Sequence, residues 1–278
     1  MIYLILAIAC STLISVIMRI SSDKVTGNVS MLAMNYLMCV VVAALYTGLD
    51  QLFPQVAALP QTLTMGAVHG ILYLSSFVLF QHNVRKNGMV LSATFMKLGL
   101  LVPIVLSVIL FGELPGVLQI IGFVIAVAAI VLINWSSDRS DLRMGAGLVV
   151  LLIAGGAGDA MSKVFEEWGN TTLSSQFLFY TFLVALILCV GLVILKKERP
   201  GKSEVLFGLL IGVPNYFSAR FLLKSLESVD AVIAYPTYSV ATLLAVTLIG
   251  VLLFREKLSR RQWVAIGMIL VALALLNI

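Results

Sequence analysis

Lys97, Asp159 and Arg220 are charged residues set inside long apolar stretches, and their isolation is what gives them chemical interest. An ionisable group deep in an apolar segment is expensive, so it normally faces a polar cavity or a partner. Lys97 lies about 12 Å along its apolar run at 1.5 Å per residue, near the middle of a bilayer crossing. A lysine at that depth can anchor an anionic group of a substrate. Its plainer role is to snorkel or to satisfy helix carbonyls. Asp159 and Arg220 fall at similar depths, roughly 22 and 25 Å from their helix starts on the same rise. An ion pair between them would remove two desolvation problems together. Such a pair can be a gate, a binding site for a zwitterion or a structural lock, and the residues alone leave the three open. Gly155, Gly156 and Gly158 precede Asp159 and permit a close helix approach or a local break.

Around these charges stand polar and aromatic stripes. His69, Tyr73, Ser76 and Phe80 recur at helical spacing, as do Tyr235, Tyr238 and Thr242. Stripes of this kind pack helices or line a cavity. Tyr73, Tyr216, Tyr235, Tyr238 and Asn35 are candidates for cavity walls. His69 can relay protons because imidazole titrates near neutral pH, or it can be a hydrogen-bonded packing residue. Cys10, Cys39 and Cys189 are isolated in apolar segments, with neither a CxxC pair nor a metal spacing, and read as small packing residues. No P-loop, HExxH, GxSxG or Cys/His cluster occurs, so no catalytic residue, metal or cofactor is expected.

These side chains must be positioned by helices in lipid. The chain is 61% hydrophobic and 11% charged, against roughly 25% charged in a soluble domain. The net charge of +5 sits in short loops between apolar runs, the pattern of a membrane protein and not of a nucleic-acid binder. Runs long enough to cross the hydrocarbon core occupy 2–20, 31–49, 63–83, 89–110, 116–134, 144–163, 174–194, 203–223, 229–253 and 261–277. The first is too long for a signal-peptide core and has neither basic leader nor cleavage site, so it is expected to remain as a span. The longest loop, Asp50 to Thr62, carries Pro54 and Pro60. Ser259 followed by Gln262 predicts a capping box at the last helix, and Gly116 after Pro115 marks the corresponding start earlier in the chain.

The order of the spans carries a duplication. Residues 70–134 recur 143 positions later, placing Tyr73 on Tyr216, Ser75 on Ser218, Phe111 on Phe254, Glu113 on Glu256, Gln119 on Gln262 and Asn134 on Asn277. Each copy holds five spans, and an odd number inverts the second copy relative to the first, as in many secondary transporters. The expected organisation is therefore an all-α membrane protein of two inverted five-helix repeats, 1–134 and 144–278, joined by a polar linker at 135–143. Of the 18 basic residues, 14 fall in loops 1–2, 3–4, 5–6, 7–8 and 9–10 with their adjoining helix ends. The positive-inside rule puts those loops in the cytoplasm and both termini outside.

Phe111-Gly112-Glu113 and Phe254-Arg255-Glu256 resemble the signature that ends helices four and nine in the EamA-like branch of the drug/metabolite transporter superfamily. Gln262-Trp263 is similar to the opening of its final helix, and Arg19 and Lys163 fit the basic residues that close helices one and six. The resemblance spans the whole chain and implies a ten-helix transporter. It is diagnostic of fold, not of substrate. Pro103 and Pro236 sit at non-equivalent depths in the two copies, and Lys97 falls on Val240. Glu113 and Glu256 read as architectural, favouring a helix N-terminus. The expected function is secondary transport, in the exporting direction, of small polar metabolites such as amino acids or organic anions by alternating access, in a bacterial inner membrane. The alternatives are efflux of amphipathic drugs or lipid-linked compounds, and a non-transport membrane enzyme or receptor. The expected partners are a small-molecule substrate and the lipid bilayer, without nucleic acid; monomer and dimer both stay open.

Overall fold

A computed structural model describes residues 1–22, 24–87, 92, 95–133, 146–255 and 259–278, and every regular element among them is helical. The elements are α1 (Ile2–Ser21), α2 (Asn28–Thr47), α3 (Leu59–Asn87), α4 (Phe95–Phe111), α5 (Val117–Ile133), α6 (Ala146–Trp168), α7 (Ser174–Lys196), α8 (Lys202–Leu226), α9 (Ala231–Phe254) and α10 (Arg260–Leu276). Seven of the described helices are long and apolar enough to cross a bilayer, with α4 and α5 as shorter apolar helices. The linker 135–143, Glu256 and most of 88–94 lie outside the described residues.

Local chemistry sets the boundaries. Pro60 falls in the first turn of α3, where its missing N–H is no loss. Gly48 ends α2 with a φ of 89°, a conformation open to glycine without a Cβ penalty. At α10 the capping box is complete: Ser259 Oγ accepts from the Gln262 amide while Gln262 Oε1 accepts from the Ser259 amide at 2.8 Å. Half of the same device survives one repeat earlier, where Gln119 Oε1 accepts from the Gly116 amide at 2.9 Å. Gly112 (φ 69°) and Arg255 (φ 53°), 143 positions apart, both turn left-handed inside their Phe-x-Glu segments. The duplicated motif is thus a duplicated backbone turn.

Span four is not the uniform helix its apolar run suggests. Leu98–Leu100 is a 3-10 turn, Leu101–Leu106 is α-helical and Ser107–Phe111 is a π turn. Pro103 lacks the N–H that would bond the carbonyl of Gly99, so the regular ladder cannot run through this stretch.

Contacts gather the chain into two compact units that each draw on both sequence halves. One contains Met1–Leu74 and Val164–Glu227, the other Ser75–Lys163 and Ser228–Ile278. In the first unit α8 lies on α2 through Gly208 and Gly212, where added Cβ atoms would meet the Met31 and Asn35 carbonyls. The first part of α3 lies on α7 in the same manner, through Gly66 against the Phe177 carbonyl and Gly70 against that of Thr181. The third helix of each half therefore packs on the second helix of the other, with small residues four apart at each crossing. In the second unit α5 packs on α10, and Leu100, Ile104, Ala126, Ile130, Val232, Val240 and Ile269 form a continuous aliphatic core.

Candidate functional site

In the second unit, glycines determine which side chains meet. A Cβ on Gly156 would run into the Gly99 carbonyl and the Val102 side chain, and Gly155 faces the backbone of Met96. The carbonyl of Gly99, left without its α-helical donor by Pro103, points at the Cα of Gly156. This is the close approach in which a Cα–H supports an oxygen. The crossing brings Lys97, one residue beyond Met96, near Asp159, one turn beyond Gly155. Neither side chain makes an ion pair or hydrogen bond with a described residue of the unit. Lys97 is exposed and Asp159 half-buried. Tyr235 of α9, 1% exposed, donates its hydroxyl to the Asp159 carbonyl at 2.6 Å, which ties a third helix to the same place. Tyr238 is half-buried one turn further on.

A second polar arrangement holds the end of α4. Lys163 is 2% exposed, its amine 2.7 Å from Glu113 Oε1 and 5.7 Å from the Phe111 ring centroid. The other oxygen of Glu113 accepts from the Val232 amide at 3.2 Å, in the first turn of α9. Glu113 was expected to favour the helix that follows it in sequence. It serves α9 instead, through its bond to the Val232 amide. Both side chains of the Phe-x-Glu signature thus converge on one buried lysine.

The remaining candidates sit in the first unit, mostly in packed surroundings. His69 is 1% exposed, stacked on Phe177 at 5.2 Å, edge-on to Tyr73 at 4.7 Å and 3.3 Å from the Thr181 hydroxyl through Nδ1. This is the setting of a packing histidine. The repeat-related Tyr73 and Tyr216 both contact Phe182, at centroid distances of 6.0 and 6.2 Å, and Tyr216 is fully buried. Asn35, 5% exposed, accepts from Asn215 Nδ2 at 3.2 Å, and Cys39 adds its thiol to the Gly212 carbonyl at 3.3 Å. Arg220 stacks on Tyr46, its Cζ 3.9 Å from the ring centroid, and donates to Ser175 Oγ at 2.9 Å. Asp159 and Arg220, anticipated as a pair, belong to different compact units, and each has the neighbours just described. Ser76, from the His69 stripe, falls in the second unit, where it donates to the Ala154 carbonyl of α6.

Comparison with known proteins now bears on this architecture. The family model of EamA-like transporters matches residues 144–278. Those residues form an EamA-like transporter family domain. The match takes in α6 to α10, including Asp159, Lys163 and the second Phe-x-Glu segment. An uncharacterized protein of Haemophilus influenzae is 25% identical over 274 residues, covering 95% of this chain and 93% of its own length. A protein of known crystal structure superposes with a TM-score of 0.74 at 16% identity, over 99% of this chain and 94% of that one, so the fold is shared along the whole length. The finding accords with the drug/metabolite transporter resemblance of the Phe-x-Glu segments. The chain is a multi-pass helical membrane protein whose second half is similar to the EamA-like transporter family.

Three partners escaped the sequence reading. Tyr46 under Arg220 lies at the end of α2, where an aromatic residue is unremarkable. Phe182 is one apolar residue among many. Asn215 did leave a signal, an amide directly after Pro214 within an apolar helix.

Proposed function

We propose that the protein is a secondary transporter that exports small zwitterionic or anionic metabolites, such as amino acids or organic anions, by alternating access. The observation that carries this reading is that Lys97 and Asp159 stand on the two helices that meet at the Gly99–Gly156 crossing of one unit, and that neither side chain forms an ion pair with a described residue there. A structural ion pair in a membrane protein closes to hydrogen-bond distance, as Lys163 and Glu113 do. Opposite charges on one crossing that do not close on each other suit a ligand bearing both signs or one. Lys97 receives a carboxylate, Asp159 receives an ammonium group where the substrate has one, and Tyr235 fixes the backbone that carries Asp159. A charged amine facing acyl chains would be costly, which favours a water-filled approach to Lys97. The charge count of the loops supports both termini outside a bacterial inner membrane.

The test is counterflow in proteoliposomes loaded with labelled amino acids and, separately, dicarboxylates. Wild-type protein is expected to accelerate exchange of at least one of these classes. Lys97→Ala should abolish it and Lys97→Arg should retain part, while both variants elute as folded protein. Full exchange by Lys97→Ala would overturn the assignment. A periplasm-only reporter fused after Ile278 is expected to be active; silence would reverse the topology.

A further inference from the structure

A cleft of about 100 Å³ opens in the first unit, lined by Thr171, Thr172, Ser174, Ser175, Arg220 and Lys224, with Leu223 and Glu227 completing the wall. It takes no part in the Lys97–Asp159 site. Within it Lys224 and Glu227 bind each other at 2.5 Å and cancel. The charge of Arg220 stays uncompensated, since no carboxylate of its own unit lies at ion-pair distance among the described residues. The guanidinium is also held in one orientation. Its face is covered by Tyr46, whose ring packs on the buried Tyr216 at 6.3 Å, and Nη1 is tied to Ser175. Stacking blocks the face and leaves the in-plane donors of the fork, the geometry that matches a carboxylate or phosphate bidentately. Hydroxyls of Thr171, Ser174 and Ser175 border the same cleft as secondary donors.

We infer that this cleft is an oxyanion-binding site in which Arg220 grips a carboxylate or phosphate group, with Ser175 and its neighbouring hydroxyls completing the shell. A guanidinium already stacked and tethered loses little freedom on binding, and pre-organisation of that kind is what distinguishes a site from a solvated arginine. The oxyanion is either that of a soluble metabolite or the phosphate of a lipid headgroup, because both present the same planar or tetrahedral acceptor edge.

The experiment uses full-length protein in dodecyl maltoside micelles, which carry no phosphate, titrated with inorganic phosphate and with succinate while unfolding temperature and calorimetric heat are followed. Saturable stabilisation is expected. Loss of a bidentate charge-assisted contact should weaken it by about tenfold or more in Arg220→Gln. Arg220→Lys should weaken it less, and Ser175→Ala by about threefold. In an Arg220→Gln background the residual titration reports any binding at Lys97, so the part of the stabilisation lost in Arg220→Gln alone belongs to the cleft and keeps it separable from the transport reading. Repeating the titration in phosphatidylglycerol nanodiscs distinguishes the sources. If stabilisation persists there, the natural occupant is soluble; if it disappears, the lipid headgroup holds the cleft. No saturable stabilisation in the micelles, or equal binding by a folded Arg220→Gln variant, would overturn the inference.

Discussion

Helices α4 and α9 lie in the segments whose residues match at an offset of 143, yet they are different objects. α9 runs unbroken from Ala231 to Phe254 despite Pro236, which stands near its start. α4 passes through 3-10, α and π geometry around Pro103 within about the length of one span. At one aligned position the first copy carries Lys97, exposed, and the second carries Val240, fully buried in the aliphatic core. At another, the x of Phe-x-Glu, both copies keep the left-handed turn although one uses glycine and the other arginine. The two segments share the turn that ends their helices and differ in the surfaces between. One carries a charge and irregular backbone; the other is packed into the core.

The most severe way to break this comparison is to exchange the aligned residues. Val240→Lys buries an amine among Leu100, Ile104 and Ile269 and should cost upwards of ~4 kcal/mol, so that little folded protein is recovered from detergent. Lys97→Val should fold normally, with an unfolding temperature close to wild type, and lose transport. Comparable yields for the two variants would show that the two positions are equivalent after all. Next in size is the lock below α4. Glu113→Gln removes the carboxylate 2.7 Å from the Lys163 amine and weakens the cap on α9, an expected loss of about 3–5 kcal/mol on breaking a buried pair, read by denaturant unfolding in micelles. Gly156→Val sharpens the role of the crossing. Its side chain meets backbone, and overpacking of this kind costs about 1–3 kcal/mol. Because α4 must retreat from α6, exchange activity should fall by more than the stability loss accounts for. The smallest effect, and of opposite sign, is Arg255→Gly, which should stabilise by about 1 kcal/mol by relieving a left-handed non-glycine residue. A measurable loss instead would mean that the Arg255 side chain contributes more than its backbone strain costs.

Much of the scaffold was legible because bilayer thickness imposes a length on every apolar run. The spans drawn from hydropathy fall within a few residues of α1, α2 and α5 to α10. The Ser259–Gln262 capping box lies where its residue types place it, since capping depends on neighbours three positions apart and on little else. The irregularity of α4 was less accessible. Pro103 was visible, but hydropathy reports how apolar a segment is and says nothing of its pitch. Among the candidate residues, Asp159 and Lys97 stood out by the cost of burying charge, which any sequence displays. That the two are neighbours was hidden, because the contact depends on which faces of α4 and α6 the glycines bring together.

The sequence by itself determined that this chain is a bundle of membrane helices, where the helices begin and end, that a segment was duplicated, and which few charges lie inside it. These follow from transfer free energies and local backbone chemistry, which act over one turn or one span. Tertiary structure alone decided that Glu113 serves Lys163 and α9, that Tyr73 and Tyr216 both reach Phe182, and that Arg220 rests on Tyr46. Such partnerships join residues on different helices, from 34 positions apart (Phe182 and Tyr216) to 174 (Tyr46 and Arg220), and their energies depend on ångström-scale packing that no local pattern encodes.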